Sequence, residues 1–279
     1  MRVASAPVTW GVWEKTAGRD DLVPPELLLE TMRGLGYVAT ELGPPGYFSP
    51  QMLEEHDMAL AGGFAPLRFE DDAGFREDVE TWLDPVIESL LATGARGPAV
   101  LAGGELAGPH EPPDAAYFDR VDRAVDRCRS RGVPVVFHHH AGTHVESPAE
   151  IEALLAHTDV GICYDTGHAL VGGGDPLEVE RMCGERIEHL HLKDVDAAIL
   201  ERLRSGELSL DAAWREGIFC PFGAGVVDFD AVLSELAGFD GWTVLEQDRV
   251  VVRVADLDAV AGVEASNLDF LRRRNGDSR

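Results

Sequence analysis

Gly161-Ile162-Cys163-Tyr164-Asp165-Thr166-Gly167-His168 is a short apolar run that turns polar only at its end. The same form recurs around it. Val135-Val136-Phe137 runs into His138-His139-His140, His189-Leu190-His191-Leu192 runs into Lys193-Asp194, and Val244-Leu245 runs into Glu246-Gln247-Asp248. Short runs this apolar, with helical patterns between them, describe strands of a parallel sheet buried under helices.

Working outward, eight such runs are found: Val3–Trp10, Tyr37–Leu42, Leu60–Phe69, Pro98–Ala102, Val133–His140, Val160–Thr166, Ile187–Lys193 and Trp242–Gln247. Helix punctuation lies between them. Pro24-Pro25 precedes Glu26–Leu35 and Gly36 follows it, Asp114 opens Ala115–Arg131 before Gly132, and Ser147-Pro148 opens Ala149–His157. Phe75–Ala95 and Val254–Arg274 also read as helices, the latter with Leu257, Val260, Val263, Leu268 and Leu271 on an apolar stripe. Eight strand–helix units in 279 residues fit a single-domain α/β (β/α)8 TIM barrel over residues 1–274, whereas a doubly wound sheet normally uses fewer parallel strands. Residues 275–279 are expected to form a frayed tail. Val195–Gly225, with helical stretches at Ala197–Arg204 and Leu208–Glu216, is too long for an ordinary connection and reads as an excursion over the barrel mouth.

A formal net charge of -26 repels polyanions, so no nucleic acid partner is expected. There is no basic, apolar leader and no stretch of about 20 uncharged apolar residues, so the expectation is a cytoplasmic protein without a membrane partner. Cys128, Cys163, Cys183 and Cys220 form no C-x-x-C pair and read as buried free thiols. No P-loop or dinucleotide fingerprint is present, so no nucleotide cofactor is expected. Gly172-Gly173-Gly174 reads as a flexible loop.

Chemistry in this fold sits at the C-terminal strand ends. Taken singly, Asp165 reads as a loop cap, His191 as a core histidine and Glu246 as a partner of Lys193. Taken together, Glu146, Asp165, His191 and Glu246 would gather three carboxylates at one mouth, where repulsion calls for a cation. One imidazole and three carboxylates suit one divalent ion, Mn, Co or Mg; Zn is admissible but usually takes more His or Cys.

The strand ends resemble those of the xylose-isomerase-like TIM barrels, the superfamily of sugar isomerases and epimerases, inosose dehydratases and endonuclease IV. The resemblance assigns the metal to Glu146, Asp165, His191 and Glu246, and makes His168 of Asp165-Thr166-Gly167-His168 a substrate contact. Within the superfamily the chain is most similar to the inosose (2-keto-myo-inositol) dehydratases. The similar phrases are Pro7–Glu14, His140-Ala141-Gly142-Thr143, Gly172-Gly173-Gly174-Asp175-Pro176, His189–Val195, Phe219-Cys220-Pro221 with Gly225–Phe229, and Glu246-Gln247-Asp248-Arg249. Two phrases depart from that pattern: His138-His139-His140 replaces His-Pro-His, and Gly223-Ala224-Gly225 replaces Gly-Glu-Gly.

The implied reaction removes a proton beside the ketone of a keto-polyol and then its β-hydroxyl, the metal stabilising the enolate. Glu146 and Glu246 are the expected proton-transfer carboxylates, with His168 or Lys193 as the acid. Lys193 has an alternative reading as a plain ion pair with Asp194. His140, His168, Lys193 and Trp13 are expected substrate contacts, although Trp10 and Trp13 read equally well as core. The nearest competing activity is a ketose 3-epimerase or aldose–ketose isomerase; family epimerases carry Arg six residues after the strand-seven His, where this chain has Ala197. Endonuclease-like cleavage conflicts with the net charge, and a non-catalytic sugar binder would not need all four ligands. Barrels of this kind commonly self-associate, so a homo-oligomer is expected.

Overall fold

A computed structural model describes residues 2–106, 108 and 110–274; the expected tail at 275–279 lies outside the described residues. Its strands are β1 (Arg2–Ser5), β2 (Ala39–Glu41), β3 (Ala59–Leu67), β4 (Ala99–Gly103), β5 (Val135–His138), β6 (Gly161–Asp165), β7 (Ile187–Leu192), β8 (Asp194–Val195), β9 (Phe219–Cys220) and β10 (Trp242–Leu245). Eight of them close into a barrel in the order β1-β10-β7-β6-β5-β4-β3-β2. The (β/α)8 reading therefore holds. β8 and β9 pair separately and antiparallel, Asp194 opposite Cys220.

The helices are α1 (Pro25–Leu35), α2 (Pro50–Glu55), α3 (Asp72–Asp78), α4 (Asp84–Thr93), α5 (Ala115–Ser130), α6 (Pro148–His157), α7 (Thr166–Val171), α8 (Pro176–Cys183), α9 (Ala197–Arg204), α10 (Leu210–Arg215), α11 (Phe229–Glu235) and α12 (Leu257–Arg274). The single helix expected over Phe75–Ala95 is interrupted by a π turn at Val79–Leu83, where the Asp84 N–H reaches back to the Val79 carbonyl. Pro85 explains it: proline has no N–H for an α-helical bond and its ring crowds the preceding turn, which the wider π turn relieves. Pro7 acts similarly on strand one. β1 stops at Ser5, and Pro7–Trp10 forms a 3-10 turn ending at Gly11, whose φ is +73°. Short helices α2, α7, α8 and α11 begin on side-chain caps from Ser49, Asp165, Asp175 and Asp228.

The described residues form two compact units, one within 60–191 and the other of residues 2–59 with 192–274. In the first, β3 to β7 run parallel, with Val136 opposite Gly161 and Asp165 opposite His191, and the β6–β7 register shifts by one residue between Ile162 and Cys163. Val100, Val136 and Cys163 pack together, with Phe64 against them. Cys163 and Asp165 are two residues apart and share a strand face, so this apolar layer supports the polar one above it.

In the second unit β1 lies between β10 and β2, with Ser5 opposite both Leu245 and Thr40. α12 buries a carboxylate there. Glu264 accepts from the Tyr37 hydroxyl at 3.1 Å and from Asn267 Nδ2 at 3.0 Å, while Asn267 Oδ1 accepts the Phe222 N–H. Arg249 lies 3.9 Å away and also donates to the Thr9 carbonyl, so the knot ties α12 to the segment after β10.

Burial pushes the Glu264 carboxyl up from 4.5 to about 7, against the opposing pull of Arg249, Tyr37 and Asn267. The folded state thus holds the proton that the unfolded chain releases first. The stability contributed by that proton is complete below pH 4.5 and is lost as pH rises through about 7, a change of about 3 kcal/mol at most. Urea unfolding of wild type and Glu264→Gln across this range should show the variant's stability gaining on wild type as pH rises; parallel profiles would contradict the assignment.

Candidate active site at the strand ends

β5, β6 and β7 end in a buried cluster. His138 is the last residue of β5, Asp165 the last of β6, and His191 the next to last of β7. His138 Nε2 lies 3.0 Å from His191 Nδ1 and 3.4 Å from Asp165 Oδ2, and His191 Nδ1 lies 3.7 Å from the same oxygen. Their side chains are 2%, 0% and 2% exposed. Asp165 also caps α7, its Oδ1 accepting the His168 N–H at 2.8 Å, so strand passes into helix with no intervening loop.

The histidines divide by tautomer. His139, where the related pattern has Pro, accepts the Asp165 N–H on Nε2 at 3.1 Å and packs near Tyr164. It is the histidine that leaves the face shared by His138 and His140. Accepting on Nε2 requires a lone pair there, which puts the proton of neutral His139 on Nδ1. His168 accepts the Ala141 N–H on Nδ1, so its proton is on Nε2. His140 donates from Nδ1 to the Ala141 carbonyl, which leaves Nε2 as its acceptor. The His140 and His168 rings are 3.8 Å apart, a donor beside an acceptor.

Glu146 does not belong to this cluster. It lies eight positions beyond the end of β5, half-buried, with Oε2 accepting the Gly142 N–H at 2.6 Å. Its own N–H goes to Glu150 Oε2, which also takes the Ser147 N–H, while Glu150 Oε1 meets His110. Gly172 packs on the Glu146 carbonyl, where a Cβ would come within 2.1 Å. The glycine run is thus a close-packing requirement at Gly172, rather than flexibility alone. Among the described residues, no donor cluster suited to an ion includes Glu146.

In the other unit, Lys193 pairs with Glu246 and lies 3.4 Å from Asp248 Oδ1. Lys193 and Glu246 are buried, and the Lys193 ammonium lies 5.6 Å from the Phe219 ring centre. Asp194 is not its ion-pair partner. Asp194 Oδ2 accepts the N–H groups of Gly223 and Gly225, and Oδ1 those of Val195 and Val227, at 2.8–3.1 Å. A Cβ on Gly225 would fall 2.3 Å from Asp194 Oδ1, so the Gly-Ala-Gly turn can wrap this carboxylate only with glycine there. Trp10 is wholly buried and donates to Ser5 Oγ, a core role, whereas half-buried Trp13 donates to the Val250 carbonyl. All four cysteines are free and buried.

His138 joins this cluster without having been singled out in the sequence, although its period-two relation to Val136 already placed it on the inward face. The donor set of the first unit suits a cation. Metal–ligand bonds of about 2.0–2.2 Å set neighbouring donors roughly 3.0–3.5 Å apart, close to the separations of this triangle.

Residues 51–273 match the xylose isomerase-like TIM barrel family. Inosose dehydratase of Geobacillus kaustophilus is 32% identical over 274 residues, covering 89% of this chain and 88% of that protein. Among solved structures, the probable 3-DHS dehydratase AsbF of Bacillus anthracis aligns at TM-score 0.71 and 16% identity, covering 96% and 99% of the two chains. The IolI protein with a bound zinc atom aligns at TM-score 0.71 and 15% identity, covering 98% and 99%. At these identities the two structures speak to the fold.

Replacing Asp194 by Asn substitutes two donors for one acceptor oxygen that serves backbone N–H groups. The expected loss is about 2–4 kcal/mol in urea unfolding, from unsatisfied buried donors; a change below about 0.5 kcal/mol would refute the anchoring role.

Proposed function

Because the chain belongs to the xylose isomerase-like TIM barrel family, we propose that it is a metal-dependent hydro-lyase that dehydrates a keto-polyol such as 2-keto-myo-inositol. The observation that carries the choice of reaction is the similarity to inosose dehydratase along 89% of the chain. The buried cluster of imidazoles and carboxylate at the strand ends supplies chemistry suited to it.

Asp165 and His191 would hold the cation, and the resemblance to the family adds Glu246 to them. A divalent cation, Mn, Co, Mg or Zn, supplies when bound a Lewis acid that stabilises negative charge on a ketone oxygen. The zinc of IolI is in keeping with a cation in this fold.

Glu146 and Glu246 are the carboxylates for removing the proton beside the ketone. His168, whose Nδ1 is occupied by the Ala141 N–H and whose proton is therefore on Nε2, is the hydrogen-bond donor to the departing hydroxyl. Lys193 is engaged by Glu246 and Asp248, and its role is to balance their charge and contact substrate oxygens. His140 offers Nε2 to accept a substrate hydroxyl, and Trp13 an apolar wall.

The test is turnover of the metal-loaded protein on a panel of inososes and ketoses, followed by the ultraviolet absorbance of the diketone product. The expected result is diketone from an inosose, with His168→Gln lowering kcat by about 10²–10³. Epimerised ketose without any diketone would overturn the reading.

A further inference from the structure

We propose that His138, not Glu146, is the ligand that β5 contributes to the metal, making the site one of two imidazoles with carboxylates. The inference rests on reading the strand ends as a metal site, and it changes which residue completes that site and which ions the site prefers.

Three observations carry it. His138 is the residue with which β5 ends, as Asp165 is for β6; His138 stands opposite Cys163, which shares a strand face with Asp165, and Asp165 stands opposite His191, so the three donors lie on one face of consecutive strands. Its Nε2 forms the shortest sides of the donor triangle, 3.0 Å to His191 Nδ1 and 3.4 Å to Asp165 Oδ2. The approach of two ring nitrogens to 3.0 Å requires one proton between their lone pairs. A cation with bonds of about 2.0–2.2 Å would be held by two nitrogens at this separation.

The third observation is the fixing of Glu146. The Gly142 N–H holds its carboxylate, Glu150 holds its N–H, and Gly172 leaves no space behind its carbonyl. Glu150 is itself locked by the α6 cap and by His110. Reaching a cation at the strand ends would require this braced loop to give up its bonds, whereas His138 requires no movement. The base role proposed for Glu146 does not depend on its being a ligand.

An additional imidazole softens the donor set, which raises the preference for Co²⁺ and Zn²⁺ over Mg²⁺. His139 supports the arrangement from the opposite strand face, because its ring holds the Asp165 N–H.

The experiment is Co²⁺ titration of metal-stripped wild type, His138→Gln and Glu146→Gln by calorimetry, with circular dichroism to verify folding. The expected result is at least a 30-fold weaker Kd for His138→Gln and a change within threefold for Glu146→Gln. Equal losses, the reverse order, or no loss in either variant would overturn the proposal. A measurement on wild type alone guards against a misfolded variant: pulsed electron paramagnetic resonance of the Mn²⁺-loaded protein should show two coupled imidazole nitrogens. A single one would overturn the proposal. Neither measurement involves substrate, so failure of the dehydratase reading would be seen separately, in the turnover assay. Absence of any metal binding by wild type would overturn the metal site itself.

Discussion

Asp165 has no exposed surface, and a bare carboxylate without water is among the costliest groups a protein can bury. Each part of its surroundings answers that cost. One oxygen takes the His168 N–H in the first turn of α7, the other faces two imidazoles, and the backbone N–H is held by His139. The strand cannot end elsewhere, because its last residue is also the helix cap. The same requirement keeps β5 and β7 in register with β6, since a shift by one residue would turn His138 or His191 to the opposite face.

The other unit handles its buried carboxylates differently. Lys193 and Asp194 are adjacent in sequence but do not neutralise each other. Lys193 serves Glu246 and Asp248, while Asp194 organises the 223–227 turn through backbone N–H groups. Glu264 is stabilised by neutral donors and by its own raised proton affinity. In a chain of net charge -26, Asp165, Glu246, Asp194 and Glu264 are thus met by different devices: imidazoles, an ammonium, backbone amides and a retained proton.

The barrel was legible because buried strands are written as short apolar runs, and every expected run overlaps a barrel strand. The ends of the runs were less legible. Val3–Trp10 and Val133–His140 overran their strands because apolar and aromatic residues continue past the point where Pro7 or the Thr143 turn ends the ladder. Asp165 and His191 could be read as donors from their places at the run ends. Alternation separates His138 from His139 but not from His140, which shares its face, and three consecutive histidines carry no sign of which one ends a strand. The Lys193-Asp194 pair was equally ambiguous, because partners 29 to 55 positions away decide it and only the fold brings them close.

The claim on which the rest depends is that the strand ends act through one divalent ion. The most direct test is to strip the protein of metal and follow dehydration of 2-keto-myo-inositol while Co²⁺ or Mn²⁺ is added in substoichiometric steps. Activity is predicted to be absent at the start and to rise linearly to a plateau at one ion per chain. Full turnover by the stripped protein in excess chelator would contradict the account.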